Sequence, residues 1–284
     1  MNAVEAFHRT ILDQPDADAP RLVFADWLEE QCEPLAELVR VQCEITQLRD
    51  ADPRKEELRR QEAGLLERFQ SHWFGPLHEM GLTGRFRRGF MEVTLNGIGA
   101  FVELTERICR LPWVLQCNIR DSDAGLAAVQ SLVASPHLRR IRSLDLSRSK
   151  IGNRGLEILG SAEGSFRPTA LHFNSSNISS RGVQALVHGV DLSRLVELRL
   201  STNGIGEQGA LDLSRCTKCV SLRTLDLSFN RLGSIGGEYL AESRVLNRLQ
   251  ALYVRGSSIG PRGKRALRRR FGPRVHIGNA SLPF

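Results

Sequence analysis

Five segments of the chain keep one register: Leu144-Asp-Leu-Ser-Arg-Ser-Lys-Ile151, Leu171-His-Phe-Asn-Ser-Ser-Asn-Ile178, Leu198-Arg-Leu-Ser-Thr-Asn-Gly-Ile205, Leu225-Asp-Leu-Ser-Phe-Asn-Arg-Leu232 and Leu252-Tyr-Val-Arg-Gly-Ser-Ser-Ile259. Each starts 27 residues after the one before (171 − 144 = 27, and so on). Gly155, Gly182, Gly209, Gly236 and Gly263 keep the same interval, as do Leu159, Leu186, Leu213, Leu240 and Leu267. A degenerate copy, Cys117-Asn-Ile-Arg-Asp-Ser-Asp-Ala124, lies one period upstream. Within Leu-x-Leu the apolar residues alternate, as in a short strand with one buried face. After the glycine, as in Gly206-Glu-Gln-Gly-Ala-Leu-Asp-Leu213, the spacing becomes helical. One strand and one helix cannot bury their own apolar faces, so the copies must stack. The expected fold class is α/β: a solenoid with parallel strands on its concave side and helices on its convex side.

The pattern L-x-L-x-x-N-x-I resembles the leucine-rich repeat, and its I-G-x-x-G-x-x-x-L continuation resembles the ribonuclease-inhibitor-like subclass. The usual Asn stands only at Asn203 and Asn230, while Ser149, Ser176 and Ser257 replace it elsewhere. One hydroxyl cannot match an amide's acceptor and two donors, so the buried polar ladder should be weaker toward both ends. Pro168 takes the phase of Ile141, Leu195, Leu222 and Leu249, which predicts a distorted turn before that strand. Cys117 and Cys219 fall on apolar positions and read as reduced core residues.

Residues 1–80 read as four short helices forming a separate helical domain. Val4, Phe7 and Ile11 make one apolar stripe, Val23, Phe24, Trp27 and Leu28 a second, Leu38, Val41, Ile45 and Leu48 a third, and Leu58, Leu65, Phe69 and Trp73 a fourth. Asp52-Pro53 is a helix start, with Asp as cap and Pro at the first helical position. Asp26 beside Trp27, with Arg21 and Arg40 nearby in sequence, offers an acidic-basic pocket; the preferred reading makes Trp27 core and Asp26 and Arg21 cap and salt-bridge residues. Pro15-Asp16, Pro20-Arg-Leu-Val-Phe-Ala-Asp-Trp-Leu-Glu-Glu30 and Ala36-Glu-Leu-Val-Arg-Val-Gln42 resemble the repeat-companion domain that precedes repeats in proteins of planctomycete-type bacteria. Cys32 departs from the glycine usual there. This resemblance implies an architecture rather than an activity. Residues 81–116 read as a transition and N-terminal cap of the solenoid, with a strand at Phe90–Leu95 and a helix from about Phe101 to Arg110. Residues 117–284 form the repeats, with Arg274–Ile277 as a truncated last strand and a basic C-terminal cap.

Charge divides the chain. Residues 1–80 hold 9 Lys/Arg and 17 Asp/Glu (9 − 17 = −8), leaving 30 and 15 for the rest (30 − 15 = +15). Six cysteines without disulfide-framework spacing fit a reduced, cytoplasmic protein. No apolar run reaches the ~18 residues a membrane helix needs. Cys216-Thr-Lys-Cys219 lacks the second ligand pair that zinc requires, so no metal and no cofactor is expected. Gly256-Ser-Ser-Ile-Gly-Pro-Arg-Gly-Lys264 has the wrong spacing for a phosphate loop, and its glycines keep the repeat phase.

Function is expected on the concave side. The candidate protein-binding residues are Asn118, Arg120, Asp145, His172, Asn174, Arg199, Asp226, Phe229, Tyr253 and Arg255. Six strands ~4.8 Å apart span about 24 Å, enough for a protein contact. His172 beside Asp145 and Arg199 has no Ser or Cys nucleophile spaced to join it, so no catalytic residue is assigned and no enzyme is expected. The partner is expected to be a protein. The alternative is nucleic acid, held by Arg262, Lys264, Arg265, Arg268, Arg269, Arg270 and Arg274, with Arg85, Arg87 and Arg88 as a smaller cluster. Resemblance to ribonuclease inhibitor and to Ran-GTPase-activating proteins implies a third reading, regulation of an enzyme.

Overall fold

The computed structural model describes residues 3–162 and 164–278. It separates into two compact units: residues up to Leu95 with Glu103–Asn118, and Asn96–Val102 with Ile119 onward.

The first unit contains helices α1 (Ala3–Asp13), α2 (Ala19–Glu30), α3 (Leu35–Gln47), α4 (Pro53–Arg68) and α5 (Gln70–Glu79), then strands β1 (Thr83–Arg87) and β2 (Phe90–Asn96). Helix α6 (Ile98–Cys109) and strand β3 (Val114–Arg120) follow, and the division between units falls inside each. Asp52 caps α4, its carboxylate accepting from Arg54 N at 3.0 Å, with Pro53 in the first turn. Five helices replace the four expected before residue 80. Phe69 leaves helical geometry at φ −106°, ψ 17°, which ends α4 and puts Trp73 on a helix of its own.

Strand β1 was also not anticipated. It pairs antiparallel with β2 from Thr83↔Thr94 to Arg87↔Phe90, so Arg88 and Gly89 form a two-residue turn. Both have positive φ, 50° and 81°, as such a hairpin turn needs. The turn is bolted to the helices. Arg88 donates to Pro15 O and Asp16 O at 2.9 Å each and pairs with Asp18, while Gly89 N donates to Gln42 Oε1 at 2.6 Å. Arg85 and Arg87 reach the buried Glu92 at 3.3 and 3.8 Å. The smaller basic cluster of the sequence is therefore neutralised by local carboxylates. Phe24 stacks on Trp27 and Phe90 with centroids 5.8 and 5.5 Å away, and Trp73 meets Phe86 edge-on at 5.1 Å. Phe24, Trp73 and Phe90 are buried in the core of the unit, while Phe86 and Trp27, the latter expected in the core, are half-buried at its edge.

In the second unit, helices α7 (Leu126–Ala134), α8 (Gly152–Gly160), α9 (Ser180–Gly189), α10 (Glu207–Arg215), α11 (Gly233–Glu242) and α12 (Pro261–Phe271) alternate with strands β4 (Ile141–Asp145), β5 (Ala170–His172), β6 (Glu197–Arg199), β7 (Thr224–Asp226), β8 (Ala251–Tyr253) and β9 (Val275–His276). Strands β4 to β9 are parallel and pair in chain order, with Leu144, Leu171, Leu198, Leu225 and Leu252 in one row. All five leucines are fully buried under the helices. Strands pack about 4.8 Å apart and helices about 8–10 Å, so the strands take the inner side of the stack.

The polar ladder separates the two kinds of repeat. Asn203 Nδ2 donates to Phe173 O, Leu200 O and Ser201 O at 2.7, 3.1 and 3.1 Å, while its Oδ1 accepts from Ser176 N and Ile178 N at 3.1 and 2.9 Å. Asn230 repeats this with Leu200 O, Leu227 O, Ser228 O and Ile205 N. Ser176 and Ser257 keep the cross-repeat bond, to Leu146 O at 2.9 Å and Leu227 O at 2.6 Å, whereas Ser149 Oγ donates within its own turn, to Leu146 O. Pro168 is buried at the expected phase, but without an N–H it lacks the turn bond made by Leu195, Leu222 and Leu249.

Candidate protein-binding face

Strand alternation turns the residues between the buried leucines to the open face of the sheet. Pairing sets Asp145, His172, Arg199, Asp226, Tyr253 and His276 in one row across β4 to β9. Glu197, two residues before Arg199, shares that face. Ser147 N donates to Asp145 Oδ1 at 3.0 Å and Ser228 N to Asp226 Oδ1 at 2.9 Å, so a short turn fixes each aspartate as its strand ends.

The N-terminal part of the row is a belt of alternating charge. His172 Nδ1 lies 3.7 Å from Asp145 Oδ2, and its Nε2 lies 3.4 Å from Glu197 Oε1 but makes no hydrogen bond. Arg199 Nε pairs with the same Glu197 oxygen, so Oε1 is shared between the imidazole and the guanidinium. Burial works against the charged form of His172, but the two carboxylates outweigh it and hold its pKa above the ordinary value. Burial also opposes the Asp145 carboxylate, and His172 with Ser147 pulls its pKa down to about 2. Contact with His172 first, and Arg199 next, brings Glu197 to about 2.

The linkage has a definite sign. The His172 contribution is complete below the ordinary imidazole pKa of about 6.5 and is lost as pH rises through the raised folded value. The carboxylate contributions are complete above about pH 4.5 and are lost as pH falls toward 2. The belt therefore stabilises this unit most in mildly acidic solution. Thermal melts from pH 6 to 9 should show a loss of stability in the wild type that His172→Gln does not share; parallel curves would contradict the belt.

The C-terminal part of the face is aromatic and cationic. Tyr253 stacks on His276 with centroids 4.4 Å apart and planes 14° from parallel. Phe229 is 50% exposed, and the Arg255 guanidinium lies 5.3 Å from its ring centroid. Phe229 also has φ +55°, unusual for a bulky residue. Arg148, Ser175, Thr202 and Gly256 hold the same left-handed position one period apart, so the repeat imposes the backbone and this chain places a phenylalanine on it. Gly256 leaves room for the ring, since a Cβ there would lie 2.6 Å from it.

Other sequence-derived candidates are placed differently. Asp226 is only 5% exposed and offers a partner little surface. Asn174 is half-buried, and its Oδ1 accepts from Ser201 N at 2.9 Å and Ser201 Oγ at 2.8 Å, which gives it a structural task. Asn118 is half-buried and Arg120 exposed on β3. Glu197 and His276 were missed. Glu197 stands where the other copies carry Ser143, Ala170, Thr224 and Ala251, so the repeat pattern draws no attention to it. The Cys216 and Cys219 sulfurs are buried 2.8 Å apart as free thiols. Contact with Cys219 draws the Cys216 thiol down to about 7 and pushes Cys219 up. Among the described residues no group of three His, Cys, Asp or Glu is placed to hold a metal ion.

Residues 137–160 and 218–241 match the leucine-rich repeat family. Their starts differ by three periods (218 − 137 = 81 = 3 × 27), so both matches fall in the phase of the strand–helix unit. The alternating strands and helices of the second unit are consistent with a leucine-rich-repeat solenoid, and such repeats suggest a protein-binding module. No curated protein matches the chain. Among the described residues no helix is long and apolar enough to cross a membrane.

Proposed function

We propose that this is a non-catalytic protein of the ribonuclease-inhibitor-like repeat subclass that holds a protein partner on the open face of its sheet. Residues 1–80 serve as the repeat-companion module, 81–116 as transition and cap, and 117–284 as the solenoid. The observation that carries the reading is Phe229, half-exposed, conformationally costly and stacked by Arg255. A left-handed backbone costs an ordinary residue about 1–2 kcal/mol, so the ring is not explained by stability alone. The Tyr253–His276 stack and the Phe229–Arg255 contact together supply aromatic and arginine side chains, the composition enriched at binding hot spots. The alternating charges from Asp145 to Arg199 supply register more than affinity. Unbridged cysteines fit a reducing cytoplasm.

The test is affinity capture from the source organism's lysate after nuclease treatment and high-salt washing. A partner retained by the intact chain should bind the Phe229→Ala/Tyr253→Ala variant at least about 30-fold more weakly, the effect of losing a hot spot of about 2 kcal/mol. The melting temperature of Phe229→Gly should not fall. Equal retention by the double variant would remove the face from consideration.

A further inference from the structure

A second surface lies on the helical side of the solenoid. From Ser243 to the C-terminus the chain has ten Lys and Arg and no Asp or Glu. Arg255 lies over Phe229, and three more of these cations are anchored on or beside α12. Arg262 Nε meets Glu238 Oε1 at 2.8 Å, Arg274 Nη1 donates to Leu249 O at 2.9 Å, and Arg270 Nη2 donates to Asn247 Oδ1. Lys264, Arg265, Arg268 and Arg269 make no salt bridge or side-chain hydrogen bond among the described residues.

Those four occupy positions i, i+1, i+4 and i+5 of α12 and so share one helix face, with Lys264/Arg268 and Arg265/Arg269 each about 6 Å apart along the axis. Like charges at i, i+4 repel, costing a few tenths of a kcal/mol per pair. The helix dipole favours cations in the last turn, which accounts for Arg268 and Arg269 but not for Lys264 and Arg265. Of the acids on α11, the neighbouring helix, Glu238 is taken by Arg262 and Glu242 makes no salt bridge. The face is a fixed array of cations that an external polyanion would relieve.

We propose that the outer face of α12 binds the phosphate backbone of duplex nucleic acid without reading its sequence. Leu267 and Phe271 are buried beneath the helix, so no apolar edge remains for a membrane or for the apolar centre of a protein interface. Nucleic-acid interfaces are instead dominated by positive charge. No exposed aromatic lies on α12 for unstacked bases, which favours a duplex over a single strand. The Arg270–Asn247 bond also brings the loop carrying the exposed Arg244 and Arg248 beside the C-terminal end of α12, widening the positive surface. This function is separate from partner binding on the sheet.

The experiment is fluorescence anisotropy of the full chain with a labelled duplex of arbitrary sequence, about 20 base pairs long, titrated with salt. Four phosphate contacts predict a slope of log K against log salt of about −3.6, or about 150-fold weaker binding from 50 to 200 mM. The variant K264Q/R265Q/R268Q/R269Q should lose about one unit of slope per charge, while Phe229→Ala/Tyr253→Ala binds as the wild type does. Circular dichroism melts verify that the variants fold. A slope near zero, or unchanged binding by the four-Gln variant, overturns the site. Polyglutamate or phosphatidylserine vesicles competing as well as unlabelled duplex at equal charge overturn the assignment to nucleic acid.

Discussion

Replacing Asn230 with alanine is expected to lower the unfolding free energy by about 3–5 kcal/mol. The side chain is 3% exposed and holds three carbonyls and one amide, those of Leu200, Leu227, Ser228 and Ile205, at 2.9–3.2 Å. Removing it strands several buried groups, each costing about 1–3 kcal/mol when left unmatched, with partial relaxation limiting the sum. Asn230→Ser should cost roughly half as much, because Ser176 and Ser257 show that a hydroxyl keeps the cross-repeat carbonyl bond. Urea unfolding measures both. A loss below about 1 kcal/mol for the alanine variant would mean that the ladder is not what joins the repeats.

Gly89→Ala should be nearly as damaging to the first unit, by about 3–5 kcal/mol. Gly89 has φ +81°, and a Cβ there would lie 2.5 Å from the Val39 Cα, a backbone atom that cannot rotate away. Left-handed strain of about 1–2 kcal/mol adds to an overpacking cost of about 1–3 kcal/mol. Its N–H bond to Gln42 is threatened by the same shift. Gly81 separates the two causes: its φ is +68° with nothing within 4 Å of a built Cβ, so Gly81→Ala should cost only the strain. If thermal melts give the two variants equal losses, the close approach of the hairpin to α3 carries little weight.

The repeat was legible because its apolar residues recur at a fixed interval and leave one way to bury them. The 27-residue phase alone specifies the strands, the helices and the row from Asp145 to Tyr253. Hairpin β1 was not legible. Its residues, Thr-Gly-Arg-Phe-Arg, alternate but carry one large apolar side chain, and its partner lies across a turn whose second residue alone is glycine. The break at Phe69 escaped notice because the apolar spacing runs through it. The burial of Asp226 and the pairing of Arg85, Arg87 and Arg88 depend on neighbours distant in sequence or on how side chains fold over a strand end. Periodicity places a residue on a face, but the surrounding side chains decide how much of it remains there for a partner.

The most direct test of the central claim places a photo-crosslinking amino acid at single positions and irradiates the chain in nuclease-treated lysate. Thr202 holds the backbone position of Phe229 one repeat earlier, Arg255 lies against the Phe229 ring, and Gln208 on α10 reports from the helical side. The account predicts a covalent adduct with the same protein from both sheet positions and none from Gln208. Adducts formed only from Gln208, or from no position, would contradict partner binding on the open face.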